Sequence, residues 1–328
     1  MTFLHVPIQR TEHTIDYFGA LLLSLSAISL LLVSVWAGSL YTWNSSEILG
    51  LATLGSLLGA LFVWWEARAK EPIMPLKLFR NSIFRVSILL TLVSGLAMFA
   101  AIIFLPEYQQ LVRGYSATKS GLLMLPLIFG LLVASIASGR LISRTSSYRL
   151  FPIFGSAVTA LGLWLLSHVA IDTPQWLLSV WMFVTGVGIG SFMQVLTLAV
   201  QNATDRRDLG TATSLVTFGR SMGSSFGVAI FGALLTNRFA LHLAVLMPGS
   251  GGASSSGSDT LNGGIEHIHS LPPDIQHNIL QAFTLAFQDL FLLVIPFVVV
   301  AFIISLFLKD IPLRGQSKEM AKGESFEM

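Results

Sequence analysis

Arg220 stands out because it places a permanent charge in an otherwise uncharged segment. It lies in the run FGRSMGSSFGVAIFG, residues 218–232, where every other side chain is small, apolar or hydroxylic. A charge inside a membrane span usually faces the interior of a helix bundle or an aqueous cavity, where it marks a solute or ion pathway. The alternative is snorkelling, in which the long side chain reaches back to the membrane surface. We favour the placement that faces the bundle.

Polar side chains recur on the preceding segment at helical spacing. Gln194, Thr197 and Gln201 occupy positions i, i+3 and i+7, so one helix face carries all three. Their amide and hydroxyl groups can hydrogen-bond a guanidinium or an oxygen-bearing solute. Together with Arg220 they form the predicted substrate pathway.

Glycines cluster in the same two segments. Small residues at four-residue spacing let a neighbouring helix backbone approach closely, and a smooth seam of this kind also permits sliding or bending. We therefore expect helix packing as their main role. The predicted packing glycines are Gly186, Gly188, Gly190, Gly219, Gly223 and Gly227.

A basic connection, SGRLISRTSSYRLF, covers residues 138–151. Gly139 is expected to end one helix, and Arg140, Arg144 and Arg149 are spaced to meet phosphates or helix C-termini. This predicts a conformational gating loop. The plainer interpretation is that these arginines only anchor the loop at the cytoplasmic surface.

Catalytic constellations are absent from the sequence. There is no cysteine, no phosphate-binding GxxxxGK[ST] motif, and no Asp or Glu deep in an apolar segment, since Glu107 and Asp289 come at segment ends. His267, His269 and His277 are interpreted as solvated loop histidines. We expect no enzyme activity, no metal, no cofactor and no nucleic-acid partner.

Composition places these residues in a lipid bilayer. Apolar residues make up 53% of the 328 residues and charged residues 11%, against roughly 25% charged in soluble domains. The mean hydropathy is +0.74. An all-α membrane bundle is predicted, because about 20 apolar residues cross the hydrocarbon. The eight predicted spans are 17–36, 48–66, 84–105, 120–139, 151–170, 176–198, 211–236 and 285–308.

The basic residues predict the orientation. Fifteen of the 19 Lys and Arg fall in alternate connections and at the two ends of the chain, which the positive-inside rule places in the cytoplasm. The predicted cytoplasmic segments are 1–16, the interfacial stretch 67–83 and the tail 309–328. Residues 237–284 are predicted to form a flexible extracellular loop, in which 271–283 could form a short helix after its prolines. The protein is thus expected to be a multi-pass protein of the cell membrane.

Four stretches resemble one transporter family. They are DYFGALLL (16–23), EPIMPLKLFRNSIF (71–84), LPEYQQLVRGYSATKSGLLMLP (105–126) and TLAVQNATDRRDLGTATSLVTFGRSMGSSFGVAIFGALL (197–235). They are similar to the major facilitator superfamily, specifically its fourteen-span drug:proton antiporter branch of EmrB/QacA type. The loop 139–150 resembles the family signature G-x-x-x-D-R-x-G-R-[KR]. Gly139 and Arg144 match it, whereas Ser143 and Ser146 replace the acid and the second glycine.

The resemblance implies an architecture and a function. Residues 17–66 would be two linking helices, and residues 84–308 would be a six-helix C-terminal half built from two three-helix inverted repeats, with the first half missing. The implied function is the C-terminal part of an efflux transporter that exports amphipathic, drug-like molecules by alternating access, driven by the proton gradient. The family's acidic coupling residues lie largely in the other half. The alternative is a truncated, non-transporting membrane protein or interaction module that needs a partner, either an N-terminal six-helix half or a second copy.

Overall fold

The regular structure of the described part of the chain is helical. The computed structural model describes residues 16–37, 40–69, 71–145, 147–247 and 272–311. The remainder of the predicted N-terminal segment and tail, and residues 248–271 with His267 and His269, lie outside these ranges. The helices are α1 (Tyr17–Trp36), α2 (Ser46–Glu66), α3 (Ser82–Leu111), α4 (Ala117–Leu122), α5 (Leu125–Thr145), α6 (Leu150–Leu166), α7 (Gln175–Ala203), α8 (Leu209–Leu246) and α9 (Pro273–Leu306), with short 3-10 turns at Leu76–Arg80 and Arg206–Asp208.

The predicted spans correspond to these helices. Among the described residues, seven helical stretches are long and apolar enough to cross a membrane, and one of them, Ala117–Thr145, combines α4 and α5. The shorter α6 is also apolar and has 17 residues, which is the lower limit for a span. The chain thus has the helices of a multi-pass membrane protein.

Polar side chains begin several of the helices. Asp16 accepts a hydrogen bond from the backbone N–H of Gly19 at 2.8 Å and caps α1. Asn81 accepts one from Ile83 at 2.9 Å and caps α3. Such caps satisfy backbone donors that a helix leaves unpaired at its start. The helix starts are therefore fixed locally by sequence.

The predicted start of the loop at residue 237 is wrong, whereas the helix expected after the prolines of 271–283 is confirmed and is continuous with the last span. Helix α8 continues to Leu246 and α9 begins at Pro273, so residues 237–246 and 273–284 are helical. Polar residues of the two helices pair with each other in this region. His242 Nε2 lies 2.9 Å from a carboxylate oxygen of Asp289, and Arg238 Nη1 lies 3.7 Å from the same oxygen.

Six of the helices pack in a pattern that repeats under exchange. Helix α3 packs on α8 and α9, and α7 packs on α5 and α6. When α3 is exchanged with α7, α5 with α8 and α6 with α9, the α3–α8 and α3–α9 contacts become the α7–α5 and α7–α6 contacts, and the α3–α7 and α6–α9 contacts map onto themselves. The α8–α9 and α7–α8 contacts have no comparable α5–α6 and α3–α5 counterparts. The α1–α2 hairpin joins this bundle mainly where α1 meets α8.

The connections gather at two ends of the bundle. At one, which we call the basic end, Lys77 lies 2.9 Å from Asp208, and Asn81 donates a hydrogen bond to the carbonyl of Ala203. At the other, the opposite end, Tyr108 donates to the carbonyl of Ala170 at 3.0 Å. These basic connections therefore meet at one end of the bundle, and the connections around Tyr108 and Ala170 meet at the other.

Candidate functional site

Arg220 lies half-buried in α8, and its guanidinium has few partners. Its Nη2 reaches the carbonyl oxygen of Met193 on α7 at 3.5 Å, which is long for a hydrogen bond. Its Nε is buried and makes no hydrogen bond with the described residues. A guanidinium carries five N–H donors. Most donors of Arg220 therefore have no strong partner among the described residues.

The three predicted polar companions lie on α7 near this contact but do not bind Arg220. Gln194 is exposed and follows Met193 directly, and Thr197 is half-buried one turn further on. Gln201 donates a hydrogen bond to the hydroxyl of Thr213 at 3.2 Å. Within the described ranges, no hydrogen bond joins Arg220 to any of them. The structure brings the four residues to neighbouring helix faces without making them a network.

Arg220 lies at the closest approach of α3 and α8. A Cβ atom built on Gly95 of α3 would overlap the carbonyl oxygen of Arg220, and one built on Gly223 of α8 would overlap the carbonyl oxygen of Leu92. We call such a pair, in which each helix accepts the other's carbonyl at a glycine, a reciprocal glycine contact. Gly95 was not among the predicted packing glycines because it is the only glycine in α3 and so has no spacing pattern.

A second reciprocal glycine contact joins α5 and α7. A Cβ built on Gly186 would overlap the carbonyl oxygen of Leu127, and one built on Gly130 would overlap that of Phe183. On each of the four helices, the contact glycine lies three residues after the residue whose carbonyl meets the glycine of the partner helix. Arg220 and Leu127 therefore occupy equivalent positions.

The other predicted packing glycines differ in how tightly they pack. A Cβ on Gly190 would overlap the carbonyl of Leu131, one on Gly188 would overlap Thr159 of α6, and one on Gly227 would lie 3.0 Å from Leu96. Gly219 is looser, with its nearest neighbour atoms, on Ile88, at 3.9 Å. The seam that the every-fourth pattern predicted thus begins at Gly223.

The basic connection differs from its prediction in one respect. Gly139 does not end a helix, because α5 continues through it to Thr145. Arg149 donates a hydrogen bond at 2.8 Å to the carbonyl of Leu306, the last residue of α9, as expected for an arginine at a helix C-terminus. Arg140 and Arg144 are exposed.

Tyr148 is the main residue of this connection that sequence reasoning missed. Its ring is fully buried, its hydroxyl donates to the carbonyl of Lys309 at 3.0 Å, and the hydroxyl accepts from the N–H of Ile311 at 3.2 Å. The N–H of Tyr148 donates to the Asp310 carboxylate at 3.1 Å. Burial raises the pKa of the Tyr148 hydroxyl. The α5–α6 connection is thereby fastened to the segment after α9, and nothing in the letters SSYR distinguishes the tyrosine.

Glu107 lines a cleft at the opposite end. The sequence placed this carboxylate at the end of a span, and the structure adds that it faces a cavity of about 340 Å³ between α3, α8 and α9. No group of three or more His, Asp or Glu side chains that could hold a metal occurs among the described residues. The cleft is thus an acidic, apolar-walled site without metal-binding character.

This chain is similar to known proteins over most of its length. The family model described as Major Facilitator Superfamily matches residues 17–228. The chain is 40% identical over 300 residues to an uncharacterized MFS-type transporter of Mycobacterium tuberculosis, covering 91% of this chain and 43% of the relative. It is 35% identical over 223 residues to the multidrug transporter protein MdtP of Bacillus subtilis, covering 68% and 41%.

A third relative is the multidrug resistance protein 3 of Bacillus subtilis, which is 30% identical over 307 residues and matched over 92% of this chain and 60% of its own length. The chain spans about half the length of the curated relatives that it matches. The family model covers well over half of the chain, and these relatives are matched over at least two thirds of it. From this similarity and its apolar helices, the protein belongs to the Major Facilitator Superfamily of membrane transporters.

Proposed function

We propose that this chain supplies the C-terminal six-helix half, preceded by two linking helices, of a proton-coupled multidrug antiporter of the fourteen-span EmrB/QacA type. In this proposal, residues 17–66 are the linking helices and residues 84–308 form the half. Small amphipathic molecules leave the cell by alternating access between this half and a second six-helix set. The names of the Bacillus relatives as multidrug proteins support the substrate class.

The observation that carries the proposal is the under-satisfied guanidinium of Arg220. A buried polar group without partners is costly, and membrane proteins place such charges where a substrate, an ion or a partner residue completes them. Arg220 lies where α3, α7 and α8 meet, which are helices from both exchange-related sets. A site between such sets is where transporters of this architecture bind their solutes.

Proton coupling needs a carboxylate or histidine that changes its protonation during the cycle. Glu107 lies only four residues from the end of α3, and Asp289 of α9 is already paired with Arg238 and His242. We therefore place the coupling carboxylate in the second six-helix set, which is provided by a longer chain or by a separate partner. The proton gradient is the energy source in this proposal, and no cofactor is involved.

Replacing Arg220 with alanine tests the pathway role. In a complete assembly we expect Arg220→Ala to abolish drug resistance and drug-driven proton flux while membrane insertion is retained, because the donors that meet the solute are gone. The matched control is Arg206→Ala, which removes an exposed arginine three residues before the start of α8. Wild-type transport by Arg220→Ala would refute the pathway role.

Orientation can be measured directly because the sequence contains no cysteine. We propose that both termini and the basic end face the cytoplasm of a cell-membrane protein. A single cysteine at position 144 or 206 is then protected from an impermeant maleimide in intact cells and reacts once the membrane is opened. Labelling in intact cells would reverse the orientation.

The alternative is a truncated, non-transporting membrane protein or interaction module that requires a partner half. Co-expression with an N-terminal six-helix half of a related antiporter separates the two functions. Drug efflux that appears only in the combined cells supports the transporter half. Stable association of the two parts without efflux under any condition supports the interaction module.

A further inference from the structure

Arg220 is a half-buried cation whose surrounding helices offer it no countercharge. Its Nε is buried without a hydrogen-bond partner among the described residues, and its Nη2 lies 3.5 Å from the carbonyl oxygen of Met193. The helices that contact α8 are α1, α3, α7 and α9. Because a partly buried charge without a countercharge is unfavourable, the source of its neutralisation needs an explanation.

The carboxylates of these helices lie too far from Arg220 to pair with it. The sequences of α1, α7 and α8 contain no Asp or Glu. In α3, Glu107 lies roughly 18 Å along the helix from Gly95, the glycine that meets the Arg220 carbonyl. Helix α9 carries its carboxylates toward the opposite end, where Asp289 binds Arg238, roughly 27 Å beyond Arg220 along α8. The neutralising charge therefore comes from outside the described helices.

A file of polar side chains leads from the basic end to Arg220 between α7 and α8. At its start Gln201 of α7 donates a hydrogen bond to the hydroxyl of Thr213 of α8 at 3.2 Å. Its members beyond this bond are exposed or half-buried, so water can follow the file to the guanidinium. The file consists of Gln201, Thr197 and Gln194 on α7 and of Thr213 and Thr217 on α8.

These features select a small anion as the ligand. A cation would be repelled by the charge of Arg220, and a neutral molecule would leave that charge uncompensated. One guanidinium neutralises one negative charge, and the amides and hydroxyls of the file supply further donors. We propose that a monovalent inorganic anion such as chloride binds Arg220 and acts as its countercharge.

The phosphate of an anionic lipid has related chemistry, but the depth of Arg220 disfavours it. Arg220 lies roughly 16 Å along α8 from Leu209, the first residue of the helix. This is about half of the hydrocarbon thickness of roughly 30 Å, so a lipid phosphate would have to leave its own layer to reach the guanidinium. A dissolved anion reaches it along the polar file instead.

The inference rests on the same membrane placement of Arg220 as the proposed function, but it requires no transport. Anion binding is measured on the purified chain, whereas transport is measured in a complete assembly, so each proposal can fail alone. Transport without anion binding would leave Arg220 to the solute. Anion binding without transport would leave a counter-ion site in a membrane protein that does not transport.

The test titrates sodium chloride into the full chain at constant ionic strength, with sodium gluconate as the other salt. The chain is purified in dodecyl maltoside, an uncharged detergent without phosphate, and binding is followed by broadening of the chloride NMR line. We expect the wild type to broaden this line and to unfold at a higher temperature in chloride than in gluconate, because a ligand of the folded state stabilises it. Arg220→Gln should bind chloride about tenfold more weakly, the loss of one charge-assisted contact.

Two further variants make the result specific. Arg220→Lys keeps a positive charge at the same position and should retain measurable chloride binding. Arg144→Gln removes an exposed arginine at the end of α5, and it should bind chloride like the wild type. Retention in Arg220→Lys distinguishes a countercharge from a side chain that only fills space.

Each outcome decides the proposal. Equal chloride binding by wild type and Arg220→Gln overturns it, and so does an equal loss in Arg144→Gln, which would indicate general surface charge. Repeating the titration in nanodiscs of phosphatidylglycerol separates the two sources of negative charge. If chloride binding persists there, the site takes a dissolved anion. If this lipid abolishes it, a lipid phosphate occupies the site and the assignment of a dissolved anion is wrong.

Discussion

The α3–α8 and α5–α7 seams have the same backbone geometry and opposite chemistry. Each is closed by a reciprocal glycine contact, Gly95 with Gly223 in one and Gly130 with Gly186 in the other. At the equivalent carbonyl positions, however, one seam carries Arg220 and the other carries a fully buried Leu127. The two seams therefore share a backbone arrangement, and only the α3–α8 seam carries a charged residue at this position.

The cleft beside the α3–α8 seam also contains a charged residue, and the groove beside the α5–α7 seam does not. A groove of about 690 Å³ along α5 and α7 is lined by leucine, isoleucine, valine, phenylalanine, proline and one serine, Ser179. The cleft along α3 and α8 contains Glu107. Glu107 lies twelve residues after Gly95, and the twelfth residue after Gly186 is Leu198. Both charged positions of the first seam are therefore leucine in the second.

Placing a charge in the α5–α7 seam should have the largest effect on stability. Leu127→Arg puts a guanidinium at a position with no exposed surface in the structure, and we expect it to lower the free energy of unfolding by about 3–5 kcal/mol, the cost of an uncompensated buried charge. Thermal unfolding of the purified protein in detergent measures this loss. Leu127→Met, which keeps volume and polarity, is the control. Stability of Leu127→Arg equal to that of the control would show that the α5–α7 seam is open to water.

Adding a methyl group at a contact glycine should destabilise the protein less than a buried charge does, and the effect should be similar in the two seams. In Gly223→Ala and Gly130→Ala the new Cβ meets a backbone carbonyl, which cannot rotate away, so we expect a loss of about 1–3 kcal/mol in each. Gly219→Ala, one turn before Gly223, meets nothing closer than 3.9 Å and should leave the melting temperature unchanged. A large loss in one seam only would mean that the scaffolds are not equivalent.

Removing the charge from its own seam should stabilise the protein. Arg220→Leu replaces an under-satisfied guanidinium by the residue found at the equivalent position, and we expect a gain of about 1–2 kcal/mol. Arg220→Lys keeps the charge and should show no gain. Because function often resides where a protein gives up stability, the gain in Arg220→Leu should accompany loss of transport in a complete assembly. A loss of stability would mean that Arg220 supports the seam.

The sequence predicted the helices and several packing glycines of the two seams better than it predicted the polar contacts between distant segments. The spans followed from runs of about 20 apolar residues, and Gly223, Gly227 and Gly186 followed from their spacing. Gly95 and Gly130 could not be predicted, since Gly95 is the only glycine of α3, Gly130 and Gly139 of α5 are nine residues apart, and the partner of each contact glycine is a distant carbonyl. The extension of α8 was missed because Arg238 and His242 look like loop residues until Asp289 is known to face them. Tyr148 and the cleft at Glu107 depend on contacts between segments far apart in the chain.

The smallest expected effect concerns Tyr148, which follows α5 and joins it by hydrogen bonds to the segment after α9. Tyr148→Phe removes two hydrogen bonds, to Lys309 and from Ile311, and we expect a loss of about 1 kcal/mol at pH 7, seen as faster hydrogen exchange at the Ile311 amide. Burial raises the pKa of Tyr148, so the unfolded chain releases this proton at a lower pH than the folded chain does.

The stability that Tyr148 provides is therefore complete below the ordinary tyrosine pKa of about 10 and declines as the pH rises above it. The difference between wild type and Tyr148→Phe should shrink over that alkaline range. Tyr41→Phe, at an exposed tyrosine, should show no such change. A difference that stays constant across this range would mean that the hydroxyl ionises equally in both states, and that water reaches the fastening of α5 as readily as it reaches Tyr41.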